Sequence, residues 1–290
     1  MEKINILSPA KINLSLDVIS KRSDNFHNIK SYVQIIDLYD EISIHVLNSS
    51  NDIKIECSNK KIRNETNLAY IAAYKFMETF KINKGVSINI KKNIPLGSGM
   101  GGGSSNAAAI LVGLSKIFTI DNFNKIIEIG ESIGSDVPLF LFCRSSIIKN
   151  KGESIELIKS PPKLNFLLIM QDLEISSKKS FRKWEENKDY IKSFHLKNKY
   201  KQITIDNNVV EIKNDFYPLA LKFYPQFNVV SQIITSSGID NHSLTGTGST
   251  IFSIIPNELD VDDITTYLES ANNLKISLNS SIEGWRFQID

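Results

Sequence analysis

Residues 95–109, PLGSGMGGGSSNAAA, constrain this chain more than any other stretch. Five glycines, at 97, 99, 101, 102 and 103, crowd into seven positions and run directly into two serines and an alanine-rich segment. Glycine reaches positive φ and lets the backbone approach a ligand with no Cβ in the way. At the start of a helix, unpaired N–H groups and the helix dipole favour an anion. The stretch therefore reads as a phosphate-binding loop. Its flanks exclude a flexible linker, which belongs between domains. Val86, Ile88 and Ile90 alternate with polar residues as in a half-buried strand, and Ala107, Ile110, Leu111, Leu114, Ile117 and Phe118 recur at helical spacing.

Two other glycine motifs fit less well. Gly97, Gly99 and Gly102 satisfy GxGxxG, with Asp121 standing roughly where a ribose-binding acid would. Such a turn should lead through a helix into a buried parallel strand, whereas residues 111–118 are still helical and Asp121 reads as the cap of the next helix. A Walker loop requires a lysine that is missing here.

The pattern PxxxGxGGGSSxAA resembles the ATP loop of the kinases that phosphorylate galactose, homoserine, mevalonate and phosphomevalonate. Further blocks are SPAKINL at 8–14, FHNIKSYVQIID at 26–37, GSDVPLF at 134–140 and LTGTGS at 244–249. With these the chain is similar, from residue 8 to at least 250, to the 4-diphosphocytidyl-2-C-methyl-D-erythritol kinase family within that superfamily. The resemblance implies an α+β, two-domain small-molecule kinase fold. It has a ribosomal-protein-S5-like N-terminal domain and a ferredoxin-like C-terminal domain, with the active site in the cleft between them. It also implies ATP and Mg²⁺ as cofactors and transfer of phosphate to the 2-hydroxyl of a cytidine diphosphate-linked methylerythritol, in mevalonate-independent isoprenoid biosynthesis.

Site residues follow from the matched blocks. Asp136 corresponds to the family's catalytic base, with Lys11 against it. The nucleotide loop corresponds to Pro95, Leu96, Gly97, Ser98, Gly99, Met100, Gly101, Gly102, Gly103, Ser104 and Ser105, and Ser104 is the candidate metal contact. Asn13, Phe26, His27, Ser177 and Phe181 correspond to the acceptor pocket, where aromatic rings stack on cytosine. Plainer readings stand beside these. Asp136 before Val137-Pro138 suits a helix N-cap, Lys11 suits a surface lysine with a buried stem, His27 suits a core histidine, and the second glycine loop, 245–249, expected to close over the cleft, also suits a plain turn. The chain departs from the family pattern at Phe26, often tyrosine, at Ser98, often glycine, and at Met100, usually leucine. Phenylalanine keeps the π face, whereas Ser98 would be strained at positive φ.

Composition narrows the class independently. At 290 residues, 41% hydrophobic and 23% charged, the chain suits one large or two moderate domains. A net charge of +2 without a dense basic run argues against a nucleic-acid footprint. Cys57 and Cys143 stand far apart with no CxxC, so neither a disulfide scaffold nor a zinc site is supported. No apolar run approaches the roughly 20 residues that cross a bilayer, and no signal peptide is visible, so a cytoplasmic location is expected, as a monomer or weak homodimer acting on a small molecule. Competing readings are another small-alcohol kinase, for homoserine or mevalonate, and a non-enzymatic nucleotide- or nucleic-acid-binding module.

Periodicity predicts antiparallel strands through the first 60 residues, at 12–18, 42–46 and 53–57, then helices on Leu68–Phe80 positions and at 123–133, the latter capped by Asp121. Short strands are expected around Ile147 and Ile155, and Pro161-Pro162 divides the chain into 1–160 and 161–290. Residues 164–170, LNFLLIM, suit a central strand. Helices at about 216–223 and 227–235, a strand at 251–255 and a last helix from about Asp260 complete the second part.

Overall fold

Two long strands open the chain because apolar residues alternate through both with one turn between them. The computed structural model describes residues 2–60, 67–239, 242–256, 265 and 274–288. In it β1 (Lys3–Lys21) and β2 (His27–Leu47) pair antiparallel, with the register slipping after Pro9, Asn13 and Val18. Every β1 residue from Ser8 to Leu16 is buried. Successive strand residues point to opposite faces. Ala10, Ile12 and Leu14 enter a hydrophobic core, and the intervening Lys11 and Asn13 line a cleft. Buried polar residues in that alternation mark the working face of the strand.

Next come β3 (Ile53–Cys57), α1 (Leu68–Thr79), β4 (Gly85–Lys91), α2 (Gly102–Phe118), α3 (Phe123–Ile133), α4 (Val137–Phe142), β5 (Ser146–Asn150) and β6 (Ser154–Leu157). The far edge of β2 is shared: β4 pairs with its residues 41–47 and β5 with 29–33. The expectation of antiparallel pairing fails at β3, which runs parallel to β4. The reason is α1, which supplies the crossover that parallel neighbours require. The α3 cap is also corrected: Asn122, not Asp121, accepts a hydrogen bond from the Lys125 amide. The alanine face of α2 packs with Ile6, Ile42, Ile44 and Ile88 in the first core.

The remaining elements are β7 (Asn165–Met170), α5 (Ser177–Glu186), α6 (Lys188–Lys197), β8 (Gln202–Ile205), β9 (Asn208–Glu211), α7 (Tyr217–Phe223), α8 (Gln226–Ser236), β10 (His242–Leu244), β11 (Ile251–Ile255), β12 (Lys275–Ser280) and β13 (Arg286–Gln288). A second, antiparallel sheet runs β10–β11–β7–β12. The apolar run predicted as a central strand is β7, and both its faces are covered. Phe166 and Leu168 pack with Ala10, Ile12 and Leu14 of β1, while Leu167 and Ile169 pack with Trp184, Ile191, Leu219 and Phe227 from the helices. The last strand, β13, returns to the first sheet beside β1. The helix expected from about Asp260 lies outside the described residues. Among the described residues no helix is long and apolar enough to cross a membrane.

Candidate active site

The glycine loop begins where one buried carboxylate pins the chain as it leaves β4. Asp40 pairs with the Lys92 ammonium and accepts from the amides of Asn93 (2.8 Å) and Ile94 (2.9 Å). From there five consecutive carbonyls turn into the protein. Gly97 O accepts from Ser249 N (3.1 Å), Ser98 O from Thr250 N (3.1 Å), Gly99 O from Lys11 Nζ (2.6 Å), Met100 O from Lys11 N (3.1 Å) and Gly101 O from Ser105 N (2.9 Å). None of the amides of residues 97–104 donates to a protein acceptor among the described residues. A run of unpaired N–H groups at a helix start is an anion site.

Two glycines in the loop are required by geometry. Gly99, at φ +78°, lies so close to the second glycine loop that a Cβ would stand 2.1 Å from Thr245 O. Gly101, at φ +73°, starts α2 with its Cβ position 2.8 Å from the Phe140 ring. Ser98, between glycines of positive φ, does not itself take positive φ, so serine is unstrained there. Two loop residues do not reach the cleft with their side chains. Met100 is fully buried in the core beside Ala10 and Ile12, and Ser105 bonds Ser8 Oγ at 2.7 Å beneath α2. Pro95, Leu96, Gly97, Ser98, Gly99, Gly101, Gly102, Gly103 and Ser104 line it.

Lys11 and Asp136 stand at the loop end of the cleft, with Lys11 bonded to the loop itself. Asp136 occupies the N-cap position of α4 but its side chain makes no capping hydrogen bond, so the carboxylate is not committed to the helix. Lys11 is buried, with its ammonium donating to Asn13 Oδ1 and to Gly99 O. Burial pushes the Lys11 pKa below its ordinary value, and the negative charge of Asp136 pulls it back up. Asn13, which lines the same cleft, is tied into the Lys11 end of it. Its Oδ1 takes the Lys11 ammonium and Gly246 N (3.0 Å) while its Nδ2 donates one hydrogen to Ser31 Oγ (2.7 Å), so only the second Nδ2 hydrogen could serve a ligand.

The far end of the cleft is built by α5, whose helical spacing puts Ser177, Phe181 and Glu185 on one face. Ser177 Oγ meets Thr247 Oγ1 at 3.1 Å, tying the helix to the second glycine loop. Phe181 stacks on His27 (centroids 4.6 Å apart, planes at 20°) and is braced edge-on by Phe216 at 4.9 Å. His27 Nε2 lies 3.0 Å from Glu185 Oε1. Phe26 is 53% exposed at the rim, with Lys151 Nζ 5.6 Å from its ring centroid. All these groups bound one cleft of about 1200 Å³.

A chain with an anion-binding helix start, a carboxylate and an ammonium around one cleft has the parts of a phosphotransferase. Residues 67–144 match the family GHMP kinases N terminal domain. The 4-diphosphocytidyl-2-C-methyl-D-erythritol kinase of Caldicellulosiruptor saccharolyticus is 34% identical over 280 residues, 94% of this chain and 93% of that one. The chain belongs to that family. A crystal structure of 4-(cytidine 5'-diphospho)-2C-methyl-D-erythritol kinase shares the fold, with a TM-score of 0.79 at 22% identity over 97% of this chain and all of that one. A homoserine kinase from Cytophaga hutchinsonii reaches 0.69 at 15% identity, covering 99% and 98%. This chain thus has the two-domain α+β kinase fold of these neighbours.

In this 4-diphosphocytidyl-2-C-methyl-D-erythritol kinase family member, three cleft residues escape the sequence reading. Lys92 looks like a surface lysine beside Lys91, and nothing in the sequence couples it to Asp40. Thr247 is not singled out by the sequence, although its glycine loop, 245–249, is expected to close over the cleft. Glu185 could have been found, because it falls four residues after Phe181 on the same helical face.

Proposed function

We propose that this kinase transfers the γ-phosphate of ATP to the 2-hydroxyl of 4-diphosphocytidyl-2-C-methyl-D-erythritol, giving the 2-phosphate and ADP, as a step in isoprenoid precursor synthesis. The observation that carries this reading is one cleft with an amide-lined helix start at one end, aromatic His27 and Phe181 at the other, and Lys11 and Asp136 at the loop end. Such a transfer needs alignment, charge neutralisation and a group to take the hydroxyl proton. Asp136 takes that proton. Lys11 offsets charge on the transferring phosphoryl group and keeps the carboxylate ionised. The free amides of 97–104 hold the nucleotide phosphates.

Among the described residues no cluster of three or more acidic, histidine or cysteine side chains could hold a metal. This donor set fits an ion carried on phosphate oxygens, with the Ser104 hydroxyl in the first turn of α2 as the protein contact. Mg²⁺, when bound there, would neutralise β- and γ-phosphate charge. Phe181 and His27, with Phe26 at the rim, receive the cytosine. We place the enzyme in the cytoplasm, as a monomer or weak homodimer with no nucleic-acid partner. The test is turnover with MgATP on a panel of acceptors. The cytidine-linked methylerythritol should be phosphorylated and homoserine, mevalonate and free methylerythritol poorly, because they lack the remote group whose binding positions the hydroxyl. Faster turnover of homoserine or mevalonate would overturn the assignment, and binding without turnover on any acceptor would favour a nucleotide-binding module.

A further inference from the structure

Glu185 belongs neither to the nucleotide loop nor to the Lys11 and Asp136 pair, yet it joins the parts of the acceptor end. Lys21 and His27 are cross-strand partners at the end of the β1–β2 hairpin. Both reach Glu185 on α5: Lys21 Nζ lies 2.8 Å from Oε2 and His27 Nε2 lies 3.0 Å from Oε1. One turn earlier on the same helix, Phe181 stacks on the His27 ring. One carboxylate therefore holds the hairpin that carries Phe26 and His27 against the helix that carries Phe181.

The same contact fixes where the imidazole keeps its hydrogen. Lys21 beside it holds the Glu185 carboxyl below its usual range, so the group is ionised and can only accept. The bonded Nε2 must then be the N–H nitrogen of His27, and in the neutral ring Nδ1 becomes an acceptor. An acceptor nitrogen on a ring that lines the cleft suits a base edge that offers an amino group. Against a carbonyl oxygen it sets lone pair against lone pair, leaving both groups unsatisfied. We infer that Glu185 is a positioning residue which, by holding His27 in its Nε2–H form, makes the acceptor end select a pyrimidine bearing an exocyclic amino group over one bearing a carbonyl. The inference rests on the reading that a cytidine-bearing acceptor occupies this end.

Three variants separate this role from a simple clamp. Glu185→Ala removes both contacts. Glu185→Gln removes the charge and turns one of the two acceptor oxygens into an NH2 donor, so its amide can serve either tautomer of His27. Lys21→Met removes the ion pair and leaves the His27 contact. Imidazole ¹⁵N NMR reads the tautomer, and CMP and UMP serve as competitors of the acceptor. In the wild-type protein and in the Lys21 variant, His27 should carry hydrogen on Nε2 and the site should prefer CMP, whereas in Glu185→Gln both should weaken. In Glu185→Ala the tautomers should mix, the acceptor KM should rise about tenfold with the ATP KM unmoved, and the preference for CMP over UMP should shrink about tenfold. Equal weakening of CMP and UMP, or an unchanged ratio, would reduce Glu185 to a clamp and overturn the inference. If the alanine variant does not fold, the wild-type spectrum decides alone, since hydrogen on Nδ1 is incompatible with the proposal. Failure of CMP to compete in the wild-type protein would remove the cytidine reading itself, and this inference with it.

Discussion

Asp136 sits at a helix N-cap without capping it, and that separates two outcomes of one substitution. A capping aspartate is worth about 1 kcal/mol of stability, whereas a general base is worth about 10² or more in rate. Asp136→Asn should therefore lower kcat about 100-fold or more while leaving the ATP KM and the Tm nearly alone. Retention of more than half the activity, or a clear loss of Tm, would return Asp136 to a structural role. Lys11 offers a titration test. Its pKa is lowered mainly by burial, and the charge of Asp136 is the influence that raises it. Between that lowered value and about 10.4 the unfolded chain binds more protons, so this group adds stability as pH rises through the window. Over the same window the ammonium is lost and kcat should fall. In Asp136→Asn the Lys11 titration, followed by its ¹³Cε resonance, should move to still lower pH, and an upward move would contradict the coupling. Residue roles were legible only in part. The matched blocks point to Lys11 and Asp136, and strand alternation puts Lys11 and Asn13 opposite Ile12. Spacing does not reveal which atoms the protein already uses: Met100 and Ser105 turn their side chains away from the cleft, and Asn13 commits most of its amide to Lys11, Gly246 and Ser31.

At the scale of elements, the loop and α2 can be tested at two glycines with opposite surroundings. Gly103 is exposed in the first turn of α2, and a Cβ there would find nothing nearer than Leu68 Cδ1 at 3.7 Å. Gly101 combines φ +73° with the Phe140 ring at 2.8 Å. Gly103→Val should raise the ATP KM about tenfold with little change in Tm. Gly101→Val should lower the Tm, from backbone strain of about 1–3 kcal/mol before any clash is counted. Thermal melts beside kinetics check both, and a large Tm loss for Gly103→Val would mean that this face of α2 does not front the cleft. Elements with strong local signals were readable: β4, α2, β7 and β11 follow the periodicity of their own residues. The parallel pairing of β3 and the return of β13 to β1 were not, because pairing partners distant in sequence leave no trace in local alternation.

The whole molecule is held together across Pro161-Pro162. Ala10, Ile12 and Leu14 share a core with Phe166, Leu168 and Phe252, β13 borders β1, and Gly97 and Ser98 accept from Ser249 and Thr250. A fragment of residues 1–160 would expose that side of β1 and lose those bonds, so we expect no cooperative thermal transition from it by circular dichroism. A sharp melt near that of the full chain would show that the first 160 residues fold independently. The inward carbonyls of residues 97–101 draw partners from both sides of that line, among them Lys11 and the β10–β11 loop at Ser249 and Thr250. A peptide chain is ordinarily amphoteric, offering a donor and an acceptor at every unit. Here the acceptors are all taken, so the loop acts as a fixed positive surface made of groups that never titrate. Unlike an ammonium it cannot be switched off by alkali, and the high-pH loss of activity should therefore appear in kcat and leave nucleotide affinity largely flat.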